Sequence, residues 1–153
     1  MSRRRLWLPP PGVVAITALL MWSCRRGSEW GLIDFPGRAA LALVILGAGL
    51  LVMVVAAGQL LRARTTLLPF RPAEASQLVT GGLFRWSRNP IYLGDLLLLL
   101  AWALWLGSLL NLPWLVLFVV YMNRVQIAAE EQALSEKFGA AYLDYRARVR
   151  RWL

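Results

Sequence analysis

The sequence predicts an all-α integral membrane protein of about four transmembrane helices followed by a C-terminal amphipathic helix. Of 153 residues, 59% are hydrophobic and only 16% charged, against about a quarter charged in soluble domains. Uncharged apolar runs reach the roughly 20 residues that cross a bilayer. The net charge of +9 lies in arginine groups beside those runs, at Arg3–Arg5, Arg62 to Arg88 and Arg146 to Arg151. That placement suits contact with membrane lipids and control of topology, and it argues against nucleic acid as a partner.

The first expected span runs from Leu8 to Cys24. Pro9–Pro11 interrupt its front and Arg25-Arg26 stand where a small-residue cleavage site would be, so it reads as a retained helix, not a signal peptide. Trp22 also occupies a place that lipoprotein cleavage before Cys24 needs small. The prolines fall where a helix has no internal hydrogen bond to lose. A mixed-charge loop covers 25–38, and the second span is Ala39 to Leu61. Its small residues Gly47, Gly49, Ala56, Ala57 and Gly58 allow a close helix contact.

Residues 62–90 form the longest polar stretch. The third span is expected from Ile91 to about Leu112, a tight turn at Asn111-Leu112-Pro113, and the fourth from Pro113 to about Ala129. The positive-inside rule puts Arg3–Arg5, the 62–90 stretch and the C-terminus on the cytoplasmic side, with Arg25-Arg26 running against it. Glu130 to Phe138 reads as a helix ended by Gly139. From Ala140 to Trp152, Tyr142, Tyr145, Val149 and Trp152 form one stripe amid Arg146, Arg148, Arg150 and Arg151. That is an interfacial helix, serving as an anchor or as a lid. The chain thus divides into two N-terminal spans (1–64) and a core (65–153).

Histidine is absent and Cys24 is the one cysteine, so no metal is expected. Chemistry must run on carboxylates, tyrosines, arginines and amides, or on a reactive cofactor. Folding the hairpin about 111–112 sets Arg88, Asn89 and Tyr92 level with Glu130 and Glu131. Asp95 lies one turn deeper on the same face, opposite Asn123, Arg124 and Gln126. Polar groups at such depth are costly and point to a site. Bland readings stand beside this one: an Asp95–Arg124 ion pair holding the hairpin, Arg85 and Arg88 as interface anchors, and Glu130-Glu131 as a solvated face.

The order Leu78-Val79-Thr80-x-Gly82, Arg88-Asn89-Pro90-x-Tyr92-x-Gly94, Glu130-Glu131, Phe138-Gly139 and Tyr142-x-x-Tyr145 resembles the membrane methyltransferases of the isoprenylcysteine carboxyl methyltransferase and phospholipid methyltransferase superfamily. Its bacterial members are the most similar. The resemblance covers about residues 65–153. It implies S-adenosyl-L-methionine as cofactor at the cytoplasmic face of a bacterial inner membrane, and a lipophilic small molecule or lipid as substrate. Gln77, Leu78, Val79 and Phe84 would line the cofactor pocket, Asn89, Pro90, Ile91 and Tyr92 would wrap it, and Glu130 would bind its polar groups.

Asn89 and Ser76 replace histidines of the eukaryotic pattern, and Phe84 replaces a tyrosine. Gln126 stands where prenylcysteine enzymes carry an arginine proposed to meet the substrate carboxylate, with Arg124 the nearest arginine. Arg124 and Gln126 are therefore the substrate-binding candidates. Glu131 or Asp95 could assist an amine acceptor, and Arg124 could orient a carboxylate or phosphate. The acceptor stays open between carboxylate, lipid amine and thiol. Two other classes are an NADPH-dependent sterol-reductase-like oxidoreductase and a non-enzymatic membrane assembly partner.

Overall fold

Helix α1 (Pro10–Gly27) opens on the proline run, with Pro9 at its N-cap. The computed structural model describes residues 8–65 and 76–153. Arg3–Arg5 and the middle of the 62–90 stretch lie outside the described residues. After α1 come α2 (Arg38–Arg62) and a single 3-10 turn (Gly82–Arg85). Then α3 (Pro90–Leu106) leads through a second short turn (Leu109–Asn111) into α4 (Leu112–Tyr121). A π turn (Met122–Gln126) joins α4 to α5 (Ile127–Phe138), and α6 (Ala140–Arg148) follows. No strand forms among the described residues beyond an isolated bridge between Leu32 and Ser108.

Two of these helices, Arg38–Arg62 and the continuous Leu109–Phe138, are long and apolar enough to cross a membrane. Their most apolar windows are only 17% and 22% buried, whereas the core helix of a soluble domain hides its apolar residues. Leu19, Val44, Leu51, Val54, Val116 and Leu117 are each more than half exposed. Apolar surface on this scale needs a non-aqueous neighbour.

Helices α1, α3 and α4 share a core of Val13, Met21, Leu99, Ala103, Leu115 and Phe118, extended by Met122 and Ile127. Polar groups stitch the same faces: Trp102 donates to the Ala18 carbonyl at 3.1 Å and Trp114 to Cys24 Sγ at 3.1 Å. Helix α2 lies on the other side of α3. Its buried residues are Ala42, Gly49 and Ala56, one every seven positions, with Gly49 set against Gly94 of α3. A Cβ on Gly94 would meet Met53 Cγ at 2.2 Å and the Gly49 carbonyl at 3.0 Å. The small-residue seam is therefore real, but it runs through Ala42, Gly49 and Ala56, and Gly47 lies exposed.

The third helix ends six residues earlier than expected. Gly107 takes a left-handed conformation (φ 63°) and stops α3 at Leu106, as glycine commonly does. Leu112 and Pro113 belong to the first turn of α4, so of the three residues expected to form the turn only Asn111 lies in the connection. Arg38 Nη1 donates to the Leu104 and Trp105 carbonyls at 2.6 and 2.8 Å, and Arg25 Nε to the Leu106 carbonyl at 3.2 Å. These cations satisfy the orphan carbonyls at the helix end and match its partial negative charge. Arg25, which ran against the charge rule, has a structural reason to be where it is.

Gly94→Ala should cost about 1–3 kcal/mol by overpacking, read from unfolding by SDS in mixed micelles. Gly47, where an added Cβ meets nothing within 4 Å, should accept alanine with no measurable loss. Equal effects at both positions would rule out the tight α2–α3 seam.

Candidate functional site

The π turn shapes the site. The Ile127 N–H bonds to the Met122 carbonyl, five residues back, in place of the usual four. This wide turn falls where a helix must bury Met122, Gln126, Ile127 and Glu131 together. Such turns are rare and often mark functional positions. Across from it, Pro90 starts α3 with Asn89 at the N-cap, which places Tyr92 in the first turns of the helix.

Tyr92, Gln126 and Glu130 meet between the two helices. The Tyr92 hydroxyl donates to Glu130 Oε1. Gln126 Nε2 donates to the same oxygen at 2.7 Å and to the Tyr92 hydroxyl at 3.4 Å. Tyr92 and Gln126 are buried, at 3% and 0% exposure. Glu130 Oε2 takes no hydrogen bond and Glu130 no ion pair among the described residues. One acceptor oxygen of Glu130 is thus left over at this point.

Glu131 has the opposite fate. Arg88 Nη2 meets its Oε1 at 2.7 Å, while Arg151 grips both oxygens, Nε to Oε1 at 2.9 Å and Nη2 to Oε2 at 2.7 Å. The Arg88 and Glu131 side chains are each 9% exposed. The paired fork is the geometry in which guanidinium binds carboxylate most strongly.

Around this clamp the C-terminal tail is tied to the loop before α3. The Arg88 N–H bonds to the Arg150 carbonyl at 2.9 Å. Asn89 Nδ2 and Ser87 Oγ both donate to the Arg151 carbonyl, at 3.0 and 3.3 Å. Trp152 Nε1 reaches Asn123 Oδ1 at 3.1 Å. The Tyr145 hydroxyl donates to the Phe84 carbonyl at 2.7 Å. Burial pushes that hydroxyl above its ordinary pKa, so it remains a donor at neutral pH.

The hairpin therefore brings together Asn89, Tyr92, Gln126, Glu130 and Glu131, as the residue count requires. Pro90 is buried and Ile91 half-buried beside them. Asp95 is buried on α3 and has no hydrogen bond or ion pair among the described residues. Arg124 is exposed and makes no ion pair there. The Asp95–Arg124 pair considered from the sequence does not form, because the π turn buries Gln126 and leaves Arg124 outside. Gln77, Leu78 and Val79 lie in the loop, where the Gln77 carbonyl accepts from Thr65 Oγ1 at 3.3 Å. Phe84 is buried, and its carbonyl accepts from the Tyr145 hydroxyl.

Sequence reasoning missed Arg151, Ser87 and the tail. Helix α6 stops at Arg148 and the backbone is extended at Val149, so Val149 and Trp152 do not continue the helical stripe. A usable signal was present: Glu131 sits at the exit of an apolar helix, and such a carboxylate needs a cation.

A helical protein with two membrane-length helices and a polar cluster across a helical hairpin is the class that fold and site define. The family model for phospholipid methyltransferases matches residues 37–141, more than half of the chain, and the chain belongs to that family. The match takes in α2 as well as the hairpin. A Haemophilus influenzae protein named only as uncharacterized is 51% identical over 65 residues, 41% of this chain and all of that protein. A mouse protein named Delta(14)-sterol reductase is 36% identical over 80 residues, 50% of this chain and 19% of its own length. No solved structure matches.

Removing Glu131 strands two arginines, one of them buried, so Glu131→Ala should cost about 3–5 kcal/mol. Arg151, whose side chain is 36% exposed, should cost only about 1 kcal/mol as alanine. Both variants should speed hydrogen exchange at the Arg88 amide, which the tail protects. Unchanged exchange in both would mean that the clamp does not hold the tail.

Proposed function

We propose that this chain is an S-adenosyl-L-methionine-dependent methyltransferase that crosses the membrane four times and modifies a lipophilic acceptor drawn from the bilayer. Family membership supports the reaction class. The observation that carries the cofactor is the Tyr92–Gln126–Glu130 cluster with its unpaired carboxylate. S-adenosyl-L-methionine is a cation with a ribose diol and an ammonium group, and both suit a carboxylate acceptor flanked by a phenol and an amide. When bound, it supplies a methyl group already activated on a sulfonium, so neither metal nor covalent nucleophile is required.

In this reading Glu130, Tyr92 and Gln126 hold the cofactor's polar groups. Asn89, Pro90 and Ile91 form the adjoining wall, and Gln77, Leu78, Val79 and Phe84 belong to the loop side of the pocket. Helices α1 and α3, at 18 and 17 residues, sit at about the lower length that spans a bilayer. Arg62, Arg64, Arg85, Arg88 and the C-terminal arginines gather at the site end, which the positive-inside rule assigns to the cytoplasm. In a bacterium that is the inner membrane.

The chain's own task is alignment and exclusion of water. The clamped tail closes the site on the aqueous side. A carboxylate acceptor needs no base, whereas an amine must lose a proton near neutral pH. Glu131 is held by two arginines and is poorly placed to accept a proton. Asp95, buried and without an ion pair, fits that role and favours an amine. Arg124, exposed at the same level, can orient a carboxylate or phosphate on the acceptor.

The mouse sterol-reductase likeness supports a second reading, an NADPH-dependent oxidoreductase. NADPH brings several negative charges, yet Arg88 and Arg151 beside the cluster are already engaged by Glu131. Thermal shift in detergent separates the readings. S-adenosylhomocysteine at a hundred times its Kd should stabilise the protein by about 2.7 kcal/mol, and NADPH should do nothing. The reverse result supports the reductase, and no response to either supports a non-enzymatic partner. Glu130→Gln keeps the shape and removes the charge, and should weaken S-adenosylmethionine binding by about tenfold or more. Unchanged affinity would remove Glu130 from the cofactor site.

A further inference from the structure

A cleft opens beside Tyr145. Thr80, Arg85, Tyr145, Arg148 and Val149 line a cleft of about 270 Å3, close to the roughly 300 Å3 at which small-ligand pockets begin. None of these residues belongs to the Tyr92–Gln126–Glu130 cluster or to the Glu131 clamp. One wall is the loop and 3-10 turn ending at Arg85, and the other is the end of α6. The Tyr145–Phe84 hydrogen bond at 2.7 Å and the Arg88–Arg150 backbone bond at 2.9 Å hold these walls together. Two segments about sixty positions apart in sequence are thus fixed against each other with an arginine on each.

The two guanidiniums have donors to spare. Arg148 spends its Nε on the Asp144 carbonyl at 3.1 Å, and neither arginine makes an ion pair among the described residues. Among the described residues no carboxylate lines the cleft. Thr80 adds a hydroxyl donor, while the Tyr145 proton is committed to the Phe84 carbonyl. Planar guanidinium forks converging from two walls match the oxygens of a phosphate. A cleft at the arginine-rich end of membrane-length helices also lies where lipid phosphates are concentrated.

We propose that the Arg85–Arg148 cleft is a phosphate-binding site that takes the phosphate of an anionic lipid headgroup, separate from the methyl-transfer site. It would seat the chain's C-terminal segment against the membrane and is independent of the cofactor assignment.

The test is isothermal titration of the full chain in nonionic detergent with dihexanoyl phosphatidylglycerol, inorganic phosphate, and dihexanoylglycerol, which lacks the phosphate. Phosphatidylglycerol should bind, and Arg85→Gln and Arg148→Gln should each weaken it on the order of tenfold. Arg62→Gln, an exposed arginine outside the cleft, should leave it unchanged. Arg85→Lys and Arg148→Lys keep the charge and should keep part of the binding, which separates lost recognition from lost folding. Binding of inorganic phosphate with the same Arg85 and Arg148 dependence supports the site and assigns it to free phosphate, while lipid binding alone assigns it to the headgroup. Equal affinity for dihexanoylglycerol, an undiminished double Gln variant, or an equal loss in Arg62→Gln would overturn the proposal.

Discussion

The ionic clamp on Glu131 is the interaction on which the site depends. A carboxylate and a guanidinium that are both 9% exposed carry a desolvation cost of several kcal/mol each. That cost is offset only when geometry and hydrogen bonding are nearly complete. Arg88 supplies one contact and Arg151 two. The clamp joins three parts of the chain that share no local sequence: the loop before α3, the start of α5, and the C-terminal tail. Without it, the tail bonds to Asn89 and Ser87 would be a few weak contacts on an exposed strand.

The same clamp gives neighbouring carboxylates different work. Successive residues on a helix point about 100° apart, so Glu131 faces the tail while Glu130 faces Tyr92. Glu131 is paired with two arginines, whereas Glu130 accepts from Tyr92 and Gln126. The π turn and the Gly49–Gly94 contact supply the placement. The first sets the face of α5 that carries Gln126 and Glu130, and the second lets α2 press against α3 directly behind Tyr92 and Asp95. Rigid helices, not the loop, hold the polar cluster.

Much of this is readable from residue order because hydrophobic length and helical spacing are local properties. The membrane-length helices follow from apolar length, the start of α1 from its proline run, and the approach of Tyr92 to Glu130 from counting along antiparallel helices. Two of the failures share one physical origin. Counting assumes an unbroken α-helix, and Gly107 and the π turn each break that assumption. Gly107 ends α3 at Leu106, and at the π turn Gln126 is buried while Arg124, expected on the same inner face, is exposed. Arg151 was hidden for a different reason. Its partner is fixed by tertiary packing, and the arginine run at the C-terminus reads equally well as a membrane-surface helix.

The most direct measurement follows the methyl group itself. The purified chain is incubated with S-adenosylmethionine labelled on the methyl carbon and a native lipid extract, and the lipid phase is separated and analysed. Label should appear in a lipophilic product, with S-adenosylhomocysteine formed in equal amount, and both should disappear in Glu130→Gln. A folded protein that leaves the lipid phase unlabelled across the full native extract would contradict a membrane methyltransferase acting on a lipophilic acceptor.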